Sequence, residues 1–228
     1  MPFFVEKKLL NLILIKMPFP ILRRIGYLLG GYRIKAEGLE NLPKDKSYII
    51  AANHQSYLDP VIVALALYRV VKKKICFLSK EGVWRIFGKY LGIRYLGMLP
   101  VEEKNPNKSI GIAVSYLNQS RIIGIFPEGT RNREKEPILL KGKTGAARLA
   151  ILSKVPVIPC GVFSPEGLTT SQAIKNFVFS RKKSKVVIGQ PMFFEKYYNQ
   201  EITKEMLEEI TRQIMIKVGE LCQKKYPF

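Results

Sequence analysis

The sequence predicts an α/β protein: a single domain with a largely parallel central sheet flanked by helices. Short apolar runs of strand length alternate along the chain with longer stretches of helical periodicity. This alternation is typical of strands joined by crossover helices, which produce a parallel sheet. The 228 residues, of which 47% are hydrophobic, fit one domain and provide enough apolar surface for a substantial core.

The predicted elements follow one another from residue 32 onward. Asp59 and Pro60 open the first helix, because Asp is favoured at a helix cap and Pro in the first turn. Residues 203–222 carry apolar side chains at spacings of three or four, which indicates a helix with one buried face. The predicted strands are 48–52, 74–78, 97–101, 121–126, 156–163 and 185–189. The predicted helices are 59–68, 83–91, 106–118, 143–153 and 203–222.

The N-terminal residues differ in composition from the rest of the chain. Apolar blocks alternate with Lys and Arg, and residues 1–35 hold seven basic residues and one acid. This pattern favours two short amphipathic helices that lie in a membrane interface, separated by a proline break. Two alternatives stay open: a helix packed on the core, or a single tilted helix that spans the membrane. We therefore predict a membrane-binding segment at 1–31 and a catalytic domain at 32–228.

The charge of the chain limits the partners it can have. There are 38 Lys and Arg residues against 18 Asp and Glu, a net charge of +20. A surface this basic favours polyanions, namely nucleic acid, anionic lipid head groups or phosphorylated substrates. The alternative is a solvated, lysine-rich surface without a specific partner.

Cysteine and histidine are too few for a metal centre. The three cysteines, Cys76, Cys160 and Cys222, have neither metal nor redox spacing, and the chain contains one histidine. The odd number of cysteines favours buried or free thiols in a reducing compartment over a disulfide framework. We predict no metal and no bound cofactor.

Two segments carry residues suited to chemistry. His54, the only histidine, precedes Asp59 by five positions, and Phe126 opens a Phe-Pro-Glu-Gly-Thr-Arg segment that ends at Arg131. Each segment follows a predicted strand directly. In open α/β sheets ligands bind beyond the carboxyl ends of the strands, so both segments are expected to share one cleft.

The first segment offers a general base with a partner to orient it. Neutral imidazole suits proton removal near neutral pH, and a carboxylate on the other ring nitrogen sets the tautomer. Residues five apart on a continuous helix would point about 140° apart. His54 is therefore expected in a loop, with Asp59 at the helix start turned back toward it. The plainer alternative is a structural histidine beside a capping aspartate.

The second segment offers a cationic group in a tight turn. Gly129 permits a turn or the close approach of a ligand, and the guanidinium of Arg131 matches the geometry of a phosphate monoester. Thr130 can add a donor, and Glu128 can accept from a hydroxyl group or hold Arg131. The alternative is a turn with a Glu–Arg ion pair.

Together these segments resemble the motifs of the glycerolipid acyltransferase family typified by 1-acylglycerol-3-phosphate acyltransferase. Lys80, in the stretch 77–81, matches a family lysine, and the stretches 143–150 and 155–159 match a last, chiefly structural block. The resemblance spans roughly residues 32–189. The chain departs from the family pattern after Lys80, where no proline-rich turn follows, and at 102–104, where Glu-Glu-Lys replaces Asp-Arg.

The resemblance implies transfer of a fatty acyl group from coenzyme A or acyl carrier protein to the 2-hydroxyl of 1-acyl-glycerol 3-phosphate. It assigns His54 and Asp59 to catalysis and associates the acceptor with five further residues: Lys80, Glu128, Gly129, Thr130 and Arg131. We expect a monotopic enzyme on the anionic cytoplasmic face of the inner membrane, without a nucleic-acid partner.

Two alternatives to this function remain open at this stage. The same chemistry can serve another acceptor, such as glycerol 3-phosphate, another lysophospholipid or a lyso-aminolipid. A protein of a different class is the second alternative: a basic membrane- or nucleic-acid-binding module without catalysis.

Overall fold

The fold is seen in a computed structural model. It describes residues 33–68, 70–71, 73–80, 97–102, 105–133, 137–164 and 183–228, with isolated positions between 21 and 28 and between 172 and 176. The strands are β1 (Ile34–Glu37), β2 (Ile49–Ala52), β3 (Ile75–Lys80), β4 (Met98–Val101), β5 (Ile122–Ile125), β6 (Val157–Phe163) and β7 (Ser184–Ile188). The α-helices are α1 (Asp59–Ala66), α2 (Pro106–Asn118), α3 (Gly145–Ser153) and α4 (Lys204–Cys222), and short 3-10 helices lie at Leu39–Asn41 and Glu195–Tyr197.

The described strands form one sheet in the order β1-β7-β6-β2-β5-β3-β4. Every neighbouring pair is parallel except β6 and β7, which are antiparallel. The predicted α/β domain with a largely parallel sheet is therefore confirmed. β1 was not predicted, because its four residues are partly polar and are held by ion pairs of Glu37 with Lys35 and Lys185.

The core lies on both faces of the sheet. In β2, Ile49 and Ala51 face one apolar cluster, and Ile50 and Ala52 face the other. Helices α2, α3 and α4 contribute to the first cluster and α1 to the second. Burial on both faces explains why the sequence of β2 is a continuous apolar run. Each buried isoleucine contributes about 1.5–3 kcal/mol to the free energy of folding.

Two of the helices begin at residues whose side chains cap the first turn. Asn105 caps α2 through its side chain, which accepts from the Lys108 amide at 3.2 Å, and Pro106 occupies the first turn. Thr203 caps α4 in the same way. One prediction is wrong: Asp59 is not the cap of α1 but lies inside its first turn, and Leu58 occupies the cap position.

Two predictions fall on parts of the chain that the structure does not describe. The helix predicted at 83–91 lies outside the described residues. The membrane-binding segment at 1–31 also lies outside them, except for isolated helical positions such as Ile25 and Leu28. Among the described helices, none has the length and apolar character required to cross a bilayer.

Strand order explains how two distant segments meet. β2 pairs with β5 in parallel, with Ala51 opposite Ile125, so the chain leaves both strands at the same edge of the sheet. The loop 53–58 follows β2, and the segment 126–133 follows β5. The two segments therefore lie next to each other at the carboxyl ends of the strands, where a shared cleft was expected.

Candidate active site

His54 and Asp59 form a hydrogen-bonded pair in the loop between β2 and α1. Asp59 is fully buried, and its Oδ2 lies 2.8 Å from Nδ1 of His54. The same oxygen accepts the backbone amides of Gln55 at 2.7 Å and Ser56 at 2.8 Å. This is why Asp59 does not cap α1: its carboxylate turns back onto the loop that precedes the helix. Because the carboxylate of Asp59 accepts this hydrogen bond, Nδ1 carries the proton of the neutral imidazole. Nε2 is then the basic nitrogen.

An aromatic ring supports the other side of the imidazole. Phe126 stacks on His54 with ring centroids 4.2 Å apart and an interplanar angle of 19°. Phe77 stacks in turn on Phe126 at 5.6 Å. The His54 side chain is 19% exposed, so the packed ring still reaches the surface of the cleft. Sequence reasoning gave Phe126 no role, although its position directly after β5 was a usable signal.

Glu128 joins the two segments through the backbone. Its Oε1 accepts the amide of His54 at 2.8 Å, and its Oε2 accepts the amide of Leu140 at 3.0 Å. Its side chain is buried, and burial raises the pKa of the Glu128 carboxyl, an effect that its two backbone amide donors oppose. The Asn132 amide donates to the His54 carbonyl at 2.6 Å. Both polar groups of the His54 backbone are thus held by the second segment.

This geometry gives Glu128 a different task from the one expected. The sequence suggested a contact with a hydroxyl group or with Arg131, whereas in this structure both carboxylate oxygens bind backbone amides. We infer that Glu128 positions the loop that carries His54.

Replacing Glu128 by Gln is expected to lower both stability and turnover. The amide group keeps one acceptor but turns an NH₂ toward the second backbone donor, and an unpaired buried amide costs about 1–3 kcal/mol. We expect kcat to fall about tenfold, and by a larger factor than the KM of the predicted acceptor rises, because His54, the predicted base, would shift. Denaturant unfolding and steady-state kinetics measure the two effects.

Glu102 supplies the matched control for this substitution. Its carboxylate is largely exposed and pairs with Lys108 at 2.8 Å, so Glu102→Gln should change stability by less than about 1 kcal/mol. Equal effects of the two substitutions on kcat would contradict a positioning role for Glu128.

Asn53 anchors the start of the same loop. Its side chain donates to the Val162 carbonyl at 2.9 Å and accepts the Val162 amide at 2.7 Å. These bonds connect the residue before His54 with β6. The sequence did not predict these contacts of Asn53, because their partner lies 109 positions away.

Arg131 lies against an aromatic ring from the His54 loop. Its guanidinium carbon is 3.5 Å from the ring centroid of Tyr57, and Nη2 donates to the Tyr57 hydroxyl at 2.8 Å. Partial burial lowers the pKa of Arg131, and Arg133 acts in the same direction by charge repulsion. The alternative interpretation, an ion pair between Glu128 and Arg131, is not seen, because the Glu128 oxygens bind backbone amides. Tyr57 was missed by sequence reasoning, although an aromatic residue beside His54 was visible.

The remaining predicted site residues lie at the same edge. Gly129 has φ +66°, a conformation that favours glycine, and its amide closes the turn onto the Phe126 carbonyl at 2.9 Å. Thr130 is exposed beside it. Lys80 ends β3, which pairs with β5, but its side chain is outside what the structure describes.

The three cysteines are unsuited to nucleophilic attack. All three are buried, and burial raises the pKa of each thiol, that of Cys222 to about 11. Among the described residues no group of three His, Cys, Asp or Glu side chains could hold a metal ion.

Comparisons with known proteins agree with the geometry. The model of a family described as Acyltransferase matches residues 33–163. The chain is 28% identical over 200 residues to the 1-acyl-sn-glycerol-3-phosphate acyltransferase of Bacillus subtilis, which covers 86% of this chain and 91% of that protein. It is 27% identical over 197 residues to the protein of the same name from Borreliella burgdorferi, covering 85% and 74%.

One solved structure has the same fold. It is the crystal structure of the 1-acyl-sn-glycerophosphate (LPA) acyltransferase PlsC from Thermotoga maritima. The match covers 90% of this chain and 81% of that chain with a TM-score of 0.61. Sequence identity is 22%, so this likeness concerns the architecture.

Proposed function

The chain belongs to the acyltransferase family, and from this membership we propose that it converts lysophosphatidic acid to phosphatidic acid. In this reaction a fatty acyl group moves from a thioester to the 2-hydroxyl of 1-acyl-glycerol 3-phosphate. The names of the Bacillus and Borreliella relatives support this acceptor. The observation that carries the proposal is the His54–Asp59 pair beside a turn that presents Arg131.

The proposed reaction needs no covalent intermediate. Nε2 of His54 takes the proton of the 2-hydroxyl while the oxygen attacks the thioester carbonyl. The new ester C–O bond forms, the C–S bond breaks, and the departing thiolate receives the proton from the imidazolium. Asp59 stabilises the imidazolium through Nδ1 during the transfer. No bound cofactor is required, since the acyl thioester, on coenzyme A or acyl carrier protein, is a co-substrate.

The acceptor phosphate is assigned to Arg131. Its contacts with the ring and the hydroxyl of Tyr57 restrain the guanidinium, and a restrained planar fork matches the oxygens of a phosphate monoester. We propose Lys80 and Thr130 as further contacts of the acceptor, from their places at the same edge of the sheet.

A panel of acceptors tests the proposed function. Purified protein is incubated with lysophosphatidic acid, glycerol 3-phosphate, neutral or zwitterionic lysophospholipids and a lyso-aminolipid, each with acyl-CoA or acyl-carrier protein. Products are identified by mass spectrometry. We expect phosphatidic acid from lysophosphatidic acid as the fastest reaction. Faster acylation of another acceptor would assign that acceptor instead, and no acylation would contradict an active enzyme.

We further propose that the protein is held on the cytoplasmic face of the inner membrane by residues 1–31, with the catalytic domain at 32–228. Acceptor and product both carry acyl chains, so the cleft must reach the bilayer. Each Lys or Arg near an anionic surface contributes about 1 kcal/mol, which salt screens, whereas apolar insertion resists salt.

Flotation with anionic liposomes at low and high salt tests the anchor. Deleting residues 1–30 is expected to release the protein while some activity on short-chain, soluble acceptors remains. Salt alone should release only part of the intact protein. Equal flotation of the truncated protein would place the membrane contact on the catalytic domain.

A further inference from the structure

We propose that Lys143 is a second cation for the acceptor phosphate, acting beside Arg131. This inference rests on the proposed function and adds a residue to its acceptor site. In the sequence, Lys143 lies in a stretch expected to be chiefly structural. In the structure its side chain lies across the turn that leads to Arg131.

Backbone and side chain both hold Lys143 at this turn. Its amide donates to the Pro127 carbonyl at 2.8 Å. A Cβ atom placed on Gly129 would lie 2.8 Å from Cε, 2.9 Å from Cδ and 3.0 Å from Nζ of Lys143. Carbon atoms pack at about 3.5–4.0 Å, so the end of the lysine side chain would have to move if Gly129 carried a Cβ atom. Gly129 therefore has two roles at this turn. It adopts a positive φ, and its lack of a side chain leaves room for the side chain of Lys143.

Lys143 and Arg131 form no ion pair with the described part of the protein. Among the described residues, no carboxylate lies within ion-pair distance of Lys143 or Arg131. Glu128, the acid within the motif, has both oxygens on backbone amides. Other lysines of the chain do have carboxylate partners, for example Lys185 with Glu37 at 2.8 Å.

An anion would remove the resulting repulsion. Arg133 acts on Arg131 by like charge, while Tyr57 and Asp59 act in the opposite direction. Lys143 lies over Gly129, two positions before Arg131, and adds a third cation to this part of the surface. A phosphate monoester carries close to two negative charges at neutral pH and has oxygens for both a planar fork and a point charge. The phosphate of the acceptor has this charge and geometry, and the proposed function already places it at Arg131.

Kinetics on four variants test the inference. Lys143→Met keeps the length of the side chain without its charge, and Lys143→Arg keeps the charge. Lys141→Met is the matched control, because Lys141 is an exposed lysine two positions away in the same stretch. Arg131→Lys serves as the reference for a weakened phosphate contact. Each variant is assayed with lysophosphatidic acid and with monoacylglycerol, which lacks only the phosphate.

We expect Lys143→Met to raise the KM for lysophosphatidic acid at least about tenfold with little change in kcat, since charged hydrogen bonds are worth about one to two orders of magnitude. The KM of the acyl donor and the rate on monoacylglycerol should not change. Lys143→Arg should restore most of the affinity, and Lys141→Met should behave as the unmodified protein.

Three results would overturn the inference. They are an unchanged KM for lysophosphatidic acid in Lys143→Met, a rise in the donor KM instead, and an equal loss on monoacylglycerol. The second result would indicate that Lys143 binds the phosphates of the donor. The third would indicate that Lys143 maintains the local structure and does not bind the acceptor phosphate. Each leaves the proposed function intact. An unmodified protein that does not acylate lysophosphatidic acid would instead overturn both proposals.

Discussion

His54→Ala is expected to lower kcat by at least about 10²-fold, the usual loss when a general base is removed. The protein should still fold. The backbone of His54 is held by Glu128 and Asn132, which do not depend on its side chain, and Asp59 keeps two amide donors in the loop. Steady-state kinetics measure the loss of kcat, and a thermal melt shows whether the variant is still folded.

Because the chain has one histidine, a chemical control is available. Diethyl pyrocarbonate should inactivate the unmodified protein as a single imidazole is modified, and hydroxylamine should restore the activity. The residual activity of His54→Ala should not respond to this reagent. A folded His54→Ala protein with near-normal turnover would rule out His54 as the base.

Asp59→Asn is expected to lower kcat by about 10²-fold or more while the loop keeps its shape. One oxygen of Asp59 carries all three of its described hydrogen bonds. The carbonyl oxygen of Asn can take that place, with the NH₂ group where Oδ1 lies. What is lost is the negative charge that stabilises the imidazolium in the transition state.

Asp59→Ala is the comparison that makes this result interpretable. It leaves the donors of the loop without an acceptor, at about 1–3 kcal/mol for each buried donor, so its melting temperature should fall clearly. If Asp59→Asn retained full activity, the charge would be unnecessary and Asp59 would serve the loop alone.

The order of the elements followed from local patterns. Continuous apolar runs identified β2, β5 and β6, since strands buried on both faces exclude polar side chains. Asn105 and Pro106 located the start of α2, because a cap and its proline act within one turn. β1 escaped this reasoning, because its short, partly polar sequence becomes a strand only beside β7.

The residues of the site were predictable, but several of their partners were not. His54 and Asp59 lie close in the chain, so their pairing follows from the geometry of one loop. In this structure Glu128 contacts backbone amides at positions 54 and 140, which could not be predicted because backbone amides have no signature in a sequence.

The sequence by itself determined the α/β class, the succession of most strands and helices, and the pairing of His54 with Asp59. These depend on hydrophobic periodicity, helix signals and side-chain chemistry, which act over a few residues. Only the tertiary structure decided that Phe126 supports the imidazole, that Glu128 holds the His54 backbone and that Lys143 lies over Gly129. These contacts exist because β2 and β5 are neighbours in the sheet, and strand order depends on packing between segments far apart in the chain.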